Sequence, residues 1–307
     1  MKKVSFLMSL YKEPNEYIKD AINSILNQTY DDFELILIND NPLISRNMSE
    51  FGIDKRQSNN IILINNKENM GLALSMNKAA SFASGEFLAR LDADDVASSN
   101  RIQEQVKIAN NTNCDLVFSP SILIDDFGKE IGRTKNYYGM DISSILPFGN
   151  PIIHSSALIR ASTFEKVGGY HPYIASQDYD LWLRMLSANS TFISTKDFLI
   201  KRRIQNESIS YKRSYQQLLS RRYAVQQYFA RLRGKGKDFD YNDYYNFLHR
   251  NKYEDSKKSM TLSLEIQRLE NATNGMERLL TRLKSEQLRK DLFIGIWHKA
   301  LYNFFRS

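Results

Sequence analysis

No disulfide can form within this chain, because Cys114 is its single cysteine. That suits a reducing compartment. No stretch approaches the ~18 consecutive apolar residues of a membrane-spanning helix. The opening residues, Met1 to Lys12, have a basic start and a short apolar run but no small-residue cleavage site, so they read as a first strand rather than a signal peptide. A cytoplasmic protein is the expectation. Proline is scarce and one-sided: of six, none lies beyond Pro172. No internal repeat is present, which sets aside solenoids and propellers.

What is present is an ordinary globular composition, 42% hydrophobic and 25% charged, in 307 residues. That length suits one large domain with an appendage, or two domains. The net charge of +7 conceals a split. Residues 1–200 hold 19 Lys/Arg against 24 Asp/Glu, a balance of −5, whereas residues 201–307 hold 23 against 11, a balance of +12. Together with the proline distribution, this places a boundary at 205/206. Residues 1–205 are expected to form one domain and residues 206–307 a basic helical region.

Along the first part, strand and helix patterns alternate. Val4–Leu10, Phe33–Ile38, Ile61–Ile64, Phe87–Leu91 and Leu116–Phe118 read as strands, and the near-continuous apolar run at 33–38 suits a strand buried on both faces of a parallel sheet. Asn15–Asn27, Leu72–Ala83 and Ile102–Ala109 read as helices. The alternation predicts a doubly wound α/β fold with a mostly parallel sheet. Later, Ile122–Ile124 and Glu130–Arg133 flank a Gly-bearing turn and predict a hairpin. From about Ser214 onward the chain reads as helices, broken by a loop at Gly234–Asp238.

The densest chemistry lies at Leu91-Asp92-Ala93-Asp94-Asp95, directly after a predicted strand. A strand that ends in Asp-x-Asp fixes two carboxylates at the sheet edge, a ligand set for Mg²⁺ or Mn²⁺ that leaves positions open for phosphate oxygens. A cation held there neutralises a diphosphate leaving group. The competing reading is a polar turn closed by Asp side chains. Other polar strand ends accompany it: Ser9 to Glu13, Asp40, and Asn66 to Gly71. Ligands of open α/β sheets bind outside the carboxyl ends of the strands, where strand order reverses.

These residues carry a resemblance. Val4 to Tyr11, Ala21 to Tyr30, Phe33 to Asp40, Asn69 to Leu72, the Asp92–Asp95 cluster, Pro151 to Ser156 and Gln177 to Arg184 are together similar to glycosyltransferase family 2, with the GT-A fold. The resemblance covers roughly residues 3–210. It implies an inverting, metal-dependent hexosyltransferase that uses a UDP-sugar in surface polysaccharide assembly (O-antigen, capsule or exopolysaccharide). Residues 1–118 would form the nucleotide-sugar half and 119–205 the acceptor half. By resemblance, Asp40 reads the uracil edge, and Ser9, Tyr11 and Glu13 line the nucleotide pocket. Asn69 and Gly71 let the backbone approach the nucleoside. Asp92, with Ala93 beside it, contacts the ribose or the metal's water shell. Asp94 binds Mn²⁺ or Mg²⁺, and Asp95 orients it. Asp178 is the base, within a pair that the family places before a helix. His154 lies near the acceptor, and Asp180 serves as base or helix cap. Two departures stand out: Gln177 replaces the usual Glu of the acidic pair, and Gln205 stands where many relatives carry His.

In the tail, Leu262, Ile266, Leu269, Thr273, Met276, Leu280 and Leu283 follow a 4-3 spacing, suited either to pairing with a second subunit or to packing within one domain. Residues 288–307 carry Leu, Ile, Trp and Phe at helical spacing with basic flanks, suited to a membrane interface or to plain packing. Membrane contact would fit a polyprenyl-diphosphate-linked glycan acceptor and the inner face of the cell membrane. Three rival readings stand beside this one, the third an inactive relative, which Gln177 and Gln205 keep open. A nucleotidyltransferase needs a Gly-rich basic triphosphate loop, which Ser9 to Asn15 is not. A nucleic-acid-binding protein would use the +12 tail but leave the acidic sheet ends without purpose, so nucleic acid is not an expected partner.

Overall fold

A computed structural model describes residues 3–53, 57–204 and 214–250. Its strands are β1 (Val4–Leu10), β2 (Phe33–Asn39), β3 (Ile61–Asn65), β4 (Phe87–Arg90), β5 (Val96–Ala97), β6 (Leu116–Phe118), β7 (Ser121–Ile124), β8 (Glu130–Arg133), β9 (Leu158–Arg160), β10 (Phe192–Ser194) and β11 (Ile200–Arg203). The helices are α1 (Asn15–Leu26), α2 (Leu72–Ser81), α3 (Arg101–Thr112), α4 (Ala161–Lys166), α5 (Gln177–Ser187), α6 (Ser214–Leu232) and α7 (Tyr241–Arg250). By packing, the chain divides into two units, Met1–Pro172 with Arg184–Gln205, and Tyr173–Leu183 with Asn206–Ser307. The heptad stripe at 262–283, the amphipathic stretch at 288–307 and Gln205 lie outside the described residues.

The first unit holds both sheets. The larger one has strand order β10-β6-β9-β4-β1-β2-β3. β1 pairs in parallel with β2, Val4 opposite Phe33 through Leu10 opposite Asn39. On its other side β1 pairs in parallel with β4, Val4 opposite Phe87. β1 and β2 are buried along nearly their whole length, so their side chains are apolar on both faces instead of alternating. α1 places Ile18, Ala21, Ile22 and Ile25, and α3 places Ile102, Val106 and Ala109, in one core with Phe6, Met8, Leu35 and Leu37.

Successive strands add on one side of β1 and then, with β4, on the other. This reversal brings the residues after β1 and β4 side by side at the carboxyl edge, the position where such sheets bind ligands. β9 runs antiparallel between β4 and β6. The smaller sheet, β5-β11-β7-β8, carries the expected hairpin, whose turn contains Gly128 at φ 82°. α2 stops at Ser81, two residues short of the periodic pattern. The chain there turns into Ser84 and Gly85, which Glu34 and Ser5 hold: Ser84 N–H donates to Glu34 Oε1 (2.7 Å) and Gly85 N–H to Ser5 Oγ (2.9 Å). A Cβ on Gly85 would sit 2.7 Å from the Ser5 backbone nitrogen, so only glycine fits.

In the second unit, α6 and α7 pack with the segment Tyr173–Leu183 through buried aromatic side chains, Tyr173, Tyr223 and Tyr244 among them. Among the described residues no helix is long and apolar enough to cross a membrane.

Candidate active site

At the carboxyl edge of the larger sheet, β1 delivers Tyr11 and Glu13. The Tyr11 N–H donates to Glu13 Oε2 (2.6 Å), which fixes the turn. Next to it, β4 delivers the Asp cluster. Arg90, the last residue of β4, is buried and ion-paired to Asp92 Oδ1. It also donates to the Leu7 carbonyl at 3.1 Å. The Asp92 N–H donates to Ser155 Oγ (2.9 Å), so the turn His154–Ser156 meets the same strand end. His154 itself pairs through Nε2 with the Tyr170 hydroxyl (2.8 Å), and Asn77 brackets Tyr170 by bonding both its N–H and its carbonyl.

The cluster is electrostatically loaded. Burial pushes the Asp94 carboxyl up to about 7, and the neighbouring charges of Asp92 and Glu13 add to it. Asp95 is buried and likewise raised well above the usual carboxylate range, first by burial and then by Asp94 and Asp92. Its Oδ1 accepts the Arg203 N–H (3.0 Å), while Oδ2 has no hydrogen-bond partner among the described residues. Such carboxylates, held together at a cost in mutual repulsion, are the hard oxygen donors that a divalent cation neutralises. Beneath them Arg101 is fully buried, its guanidinium lowered to about 9 by burial and then by Arg90. Arg101 donates to the Arg90 carbonyl (2.8 Å) and bonds Gln105 (2.9 Å). Ala93 is buried between the half-buried Asp92 and Asp94.

A second group forms at the ends of β2 and β3. Asp40 is buried, and Oδ1 accepts from Asn66 Nδ2 and from the Met70 N–H, both at 2.8 Å. Oδ2 accepts from the Gly71 N–H at 2.8 Å. One carboxylate thus shapes the 69–71 loop, and Oδ2, with a single partner, keeps capacity for another donor. Asn69 Oδ1 also takes the Gly71 N–H (3.0 Å). Gly71 has φ 78° and ψ 161°, a conformation essentially confined to glycine. Ser9 lies half-buried near the end of β1.

The structure therefore brings together Tyr11, Glu13, Asp92, Asp94 and Asp95, and separately Asp40, Asn69 and Gly71, all within the first unit. Asp178 and Asp180 belong to the second unit. Asp178 is half-buried in the first turn of α5, so the Gln177-Asp178 pair opens the helix instead of preceding it. Asp180 is buried, and its charge adds to the burial that raises the Tyr173 hydroxyl. Sequence reasoning missed Arg90, Arg101 and Arg203. An arginine within the apolar run Phe87–Leu91 was the one signal available for Arg90.

The family described as Glycosyl transferase family 2 matches residues 5–179. The chain belongs to glycosyl transferase family 2. It is 34% identical over 225 residues to an uncharacterized glycosyltransferase of Methanocaldococcus jannaschii, which covers 72% of this chain and 78% of that protein. It is 30% identical over 210 residues to the O-antigen biosynthesis glycosyltransferase WbnJ of Escherichia coli, covering 67% and 81%. Among solved structures it is similar to S. aureus TarS 1–349 in complex with UDP, with a TM-score of 0.59, 12% identity, and coverage of 86% of this chain and 79% of that one. TarS in complex with UDP-GlcNAc gives a TM-score of 0.56 at 12% identity, covering 86% and 80%. The fold of this family 2 glycosyltransferase is GT-A.

Proposed function

We propose that this glycosyltransferase moves a hexose or N-acetylhexosamine from a UDP-sugar to a glycan hydroxyl, with inversion, in surface polysaccharide assembly. The observation that carries the reading is the crowding of Asp94, Asp92 and Glu13 at the strand-order reversal, a charge arrangement that favours a cation and a diphosphate over an empty pocket. The named role of WbnJ in O-antigen biosynthesis and the nucleotides bound to TarS support the pathway and the donor class. A polyprenyl-diphosphate-linked glycan is the acceptor that fits the basic tail.

Asp94 would hold Mn²⁺ or Mg²⁺, and the cation when bound supplies charge neutralisation for the diphosphate. Among the described residues no three His, Cys, Asp or Glu side chains are arranged to hold a metal by themselves, in keeping with sites that lean on substrate phosphates and water. Asp92, fixed by Arg90, faces the ribose. Asp40 reads the uracil N3–H through Oδ2, Tyr11 flanks the ring, and Gly71 opens room for the nucleoside. Asp178 acts as the base: its carboxylate takes the proton from the acceptor hydroxyl as that oxygen bonds to the anomeric carbon. The bond from that carbon to the diphosphate breaks, and its electron pair leaves with UDP. A single displacement inverts the anomeric centre.

The test is UDP release from UDP-glucose, UDP-galactose and UDP-GlcNAc, with and without Mn²⁺. Release requires the metal and is lost in Asp94→Ala. Asp178→Ala retains UDP binding and loses transfer. Normal transfer by Asp178→Ala removes it as the base. Membrane association is read separately, from release into the soluble fraction on deleting residues 288–307.

A further inference from the structure

The family match ends at residue 179, yet the segment that carries Asp178 is fastened by residues well beyond it. Tyr244, on α7, is fully buried. Its hydroxyl oxygen accepts the Ile174 N–H at 3.1 Å. The same hydroxyl bonds Ser220 Oγ on α6 at 2.7 Å. The Tyr244 ring lies 4.5 Å from that of Tyr173 and 5.3 Å from that of Tyr223. Between these anchors Ser176 has φ 58°, uncommon for a residue other than glycine, and its hydroxyl reaches the Gln217 carbonyl at 3.5 Å. A backbone in that region persists only where its surroundings over-determine it, and here the surroundings are α6 and α7.

We propose that Tyr244 is a positioning residue for Asp178. By pinning the backbone at Ile174, its hydroxyl sets where α5 begins and where Asp178 stands on its first turn. The C-terminal helices are thereby a working part of the enzyme. The proposal rests on Asp178 as the base.

The test uses the full chain. Tyr244→Phe keeps the ring and removes only the oxygen, leaving the Ile174 N–H without its partner. Hydrogen exchange of the amides at 173–180 rises about tenfold while α1 and α3 are unchanged. UDP affinity by calorimetry stays within about twofold of the parent. With Mn²⁺ and the best of UDP-glucose, UDP-galactose and UDP-GlcNAc, water standing in for the acceptor, kcat falls about tenfold and KM barely moves. Adding Tyr244→Phe to Asp178→Asn gives no further loss, because the base it positions is already gone. Ser220→Ala, which releases the hydroxyl from its other side, gives a smaller change of the same kind and carries the test if Tyr244→Phe does not fold. Unchanged exchange at 173–180 in these variants overturns the proposal, whether or not a donor is turned over. So does an undiminished kcat in a protein that Asp178→Asn inactivates, or an equal loss with and without Asp178. Normal turnover by Asp178→Asn, in contrast, overturns the base assignment itself.

Discussion

Arg203 donates its Nε–H to the backbone carbonyl of Asp94 at 3.2 Å. Its own backbone N–H goes to Asp95 Oδ1, and its guanidinium also bonds the carbonyls of Asp125 (3.0 Å) and Asp126 (2.9 Å). It lies 4.0 Å from the centre of the Tyr17 ring. One side chain therefore ties the acidic turn to the β7–β8 hairpin and to α1. Arg203→Ala leaves three carbonyls without their donor and removes a cation beside the acidic turn, and we expect a loss of about 3 kcal/mol in urea unfolding. Arg203→Lys restores charge but not the fork that reaches several carbonyls, so it recovers less than half of the loss.

The raised Asp94 carboxyl makes stability depend on pH in a defined direction. A carboxyl whose folded value lies above its unfolded value binds more protons when folded, so its contribution is present at low pH and lost as pH rises through about 7. In the unliganded protein, Asp94→Asn is therefore more stable than the parent at pH 8, with a ceiling on the order of a few kcal/mol. The gap narrows as pH falls through about 7 and closes only near the unfolded carboxylate value of about 4. Urea unfolding of both proteins from pH 5 to 8 checks this, and a gap independent of pH would show that Asp94 is not crowded in solution.

Gly71→Ala tests the nucleoside loop. No atom lies within 4 Å of the added Cβ, so any effect comes from the backbone conformation at φ 78°. Forcing it costs about 1–3 kcal/mol, and the N–H that Asp40 accepts moves with it. UDP should bind about tenfold more weakly, measured by calorimetry. Parent-like affinity would place the 69–71 loop outside the nucleotide pocket.

The long apolar runs Val4–Leu10 and Phe33–Asn39 were legible because strands buried on both faces leave no alternation to misread. Asp92, Asp94 and Asp95 were legible because they follow such a run. β5, β9, β10 and β11 span only two to four residues each, too few for periodicity, and β9 runs against the direction that a doubly wound pattern implies. The partners of the Asp cluster escaped for a different reason. Arg203 sits 109 positions from Asp94, and nothing local in Lys201-Arg202-Arg203 marks the third basic residue as the buried one. The boundary drawn at 205/206 followed charge and proline, whereas packing groups Tyr173–Leu183 with the C-terminal unit. Within that unit the Tyr244 hydroxyl meets Ile174, a contact 70 residues apart.

The account centres on Asp94 as the residue that couples a cation to nucleotide. UDP binding measured by calorimetry with and without Mn²⁺, for the parent and for Asp94→Ala, tests it most directly. The prediction is that Mn²⁺ strengthens UDP binding at least about tenfold in the parent, a coupling of ~1.4 kcal/mol, and leaves Asp94→Ala unmoved. An equal gain from Mn²⁺ in both proteins would contradict it.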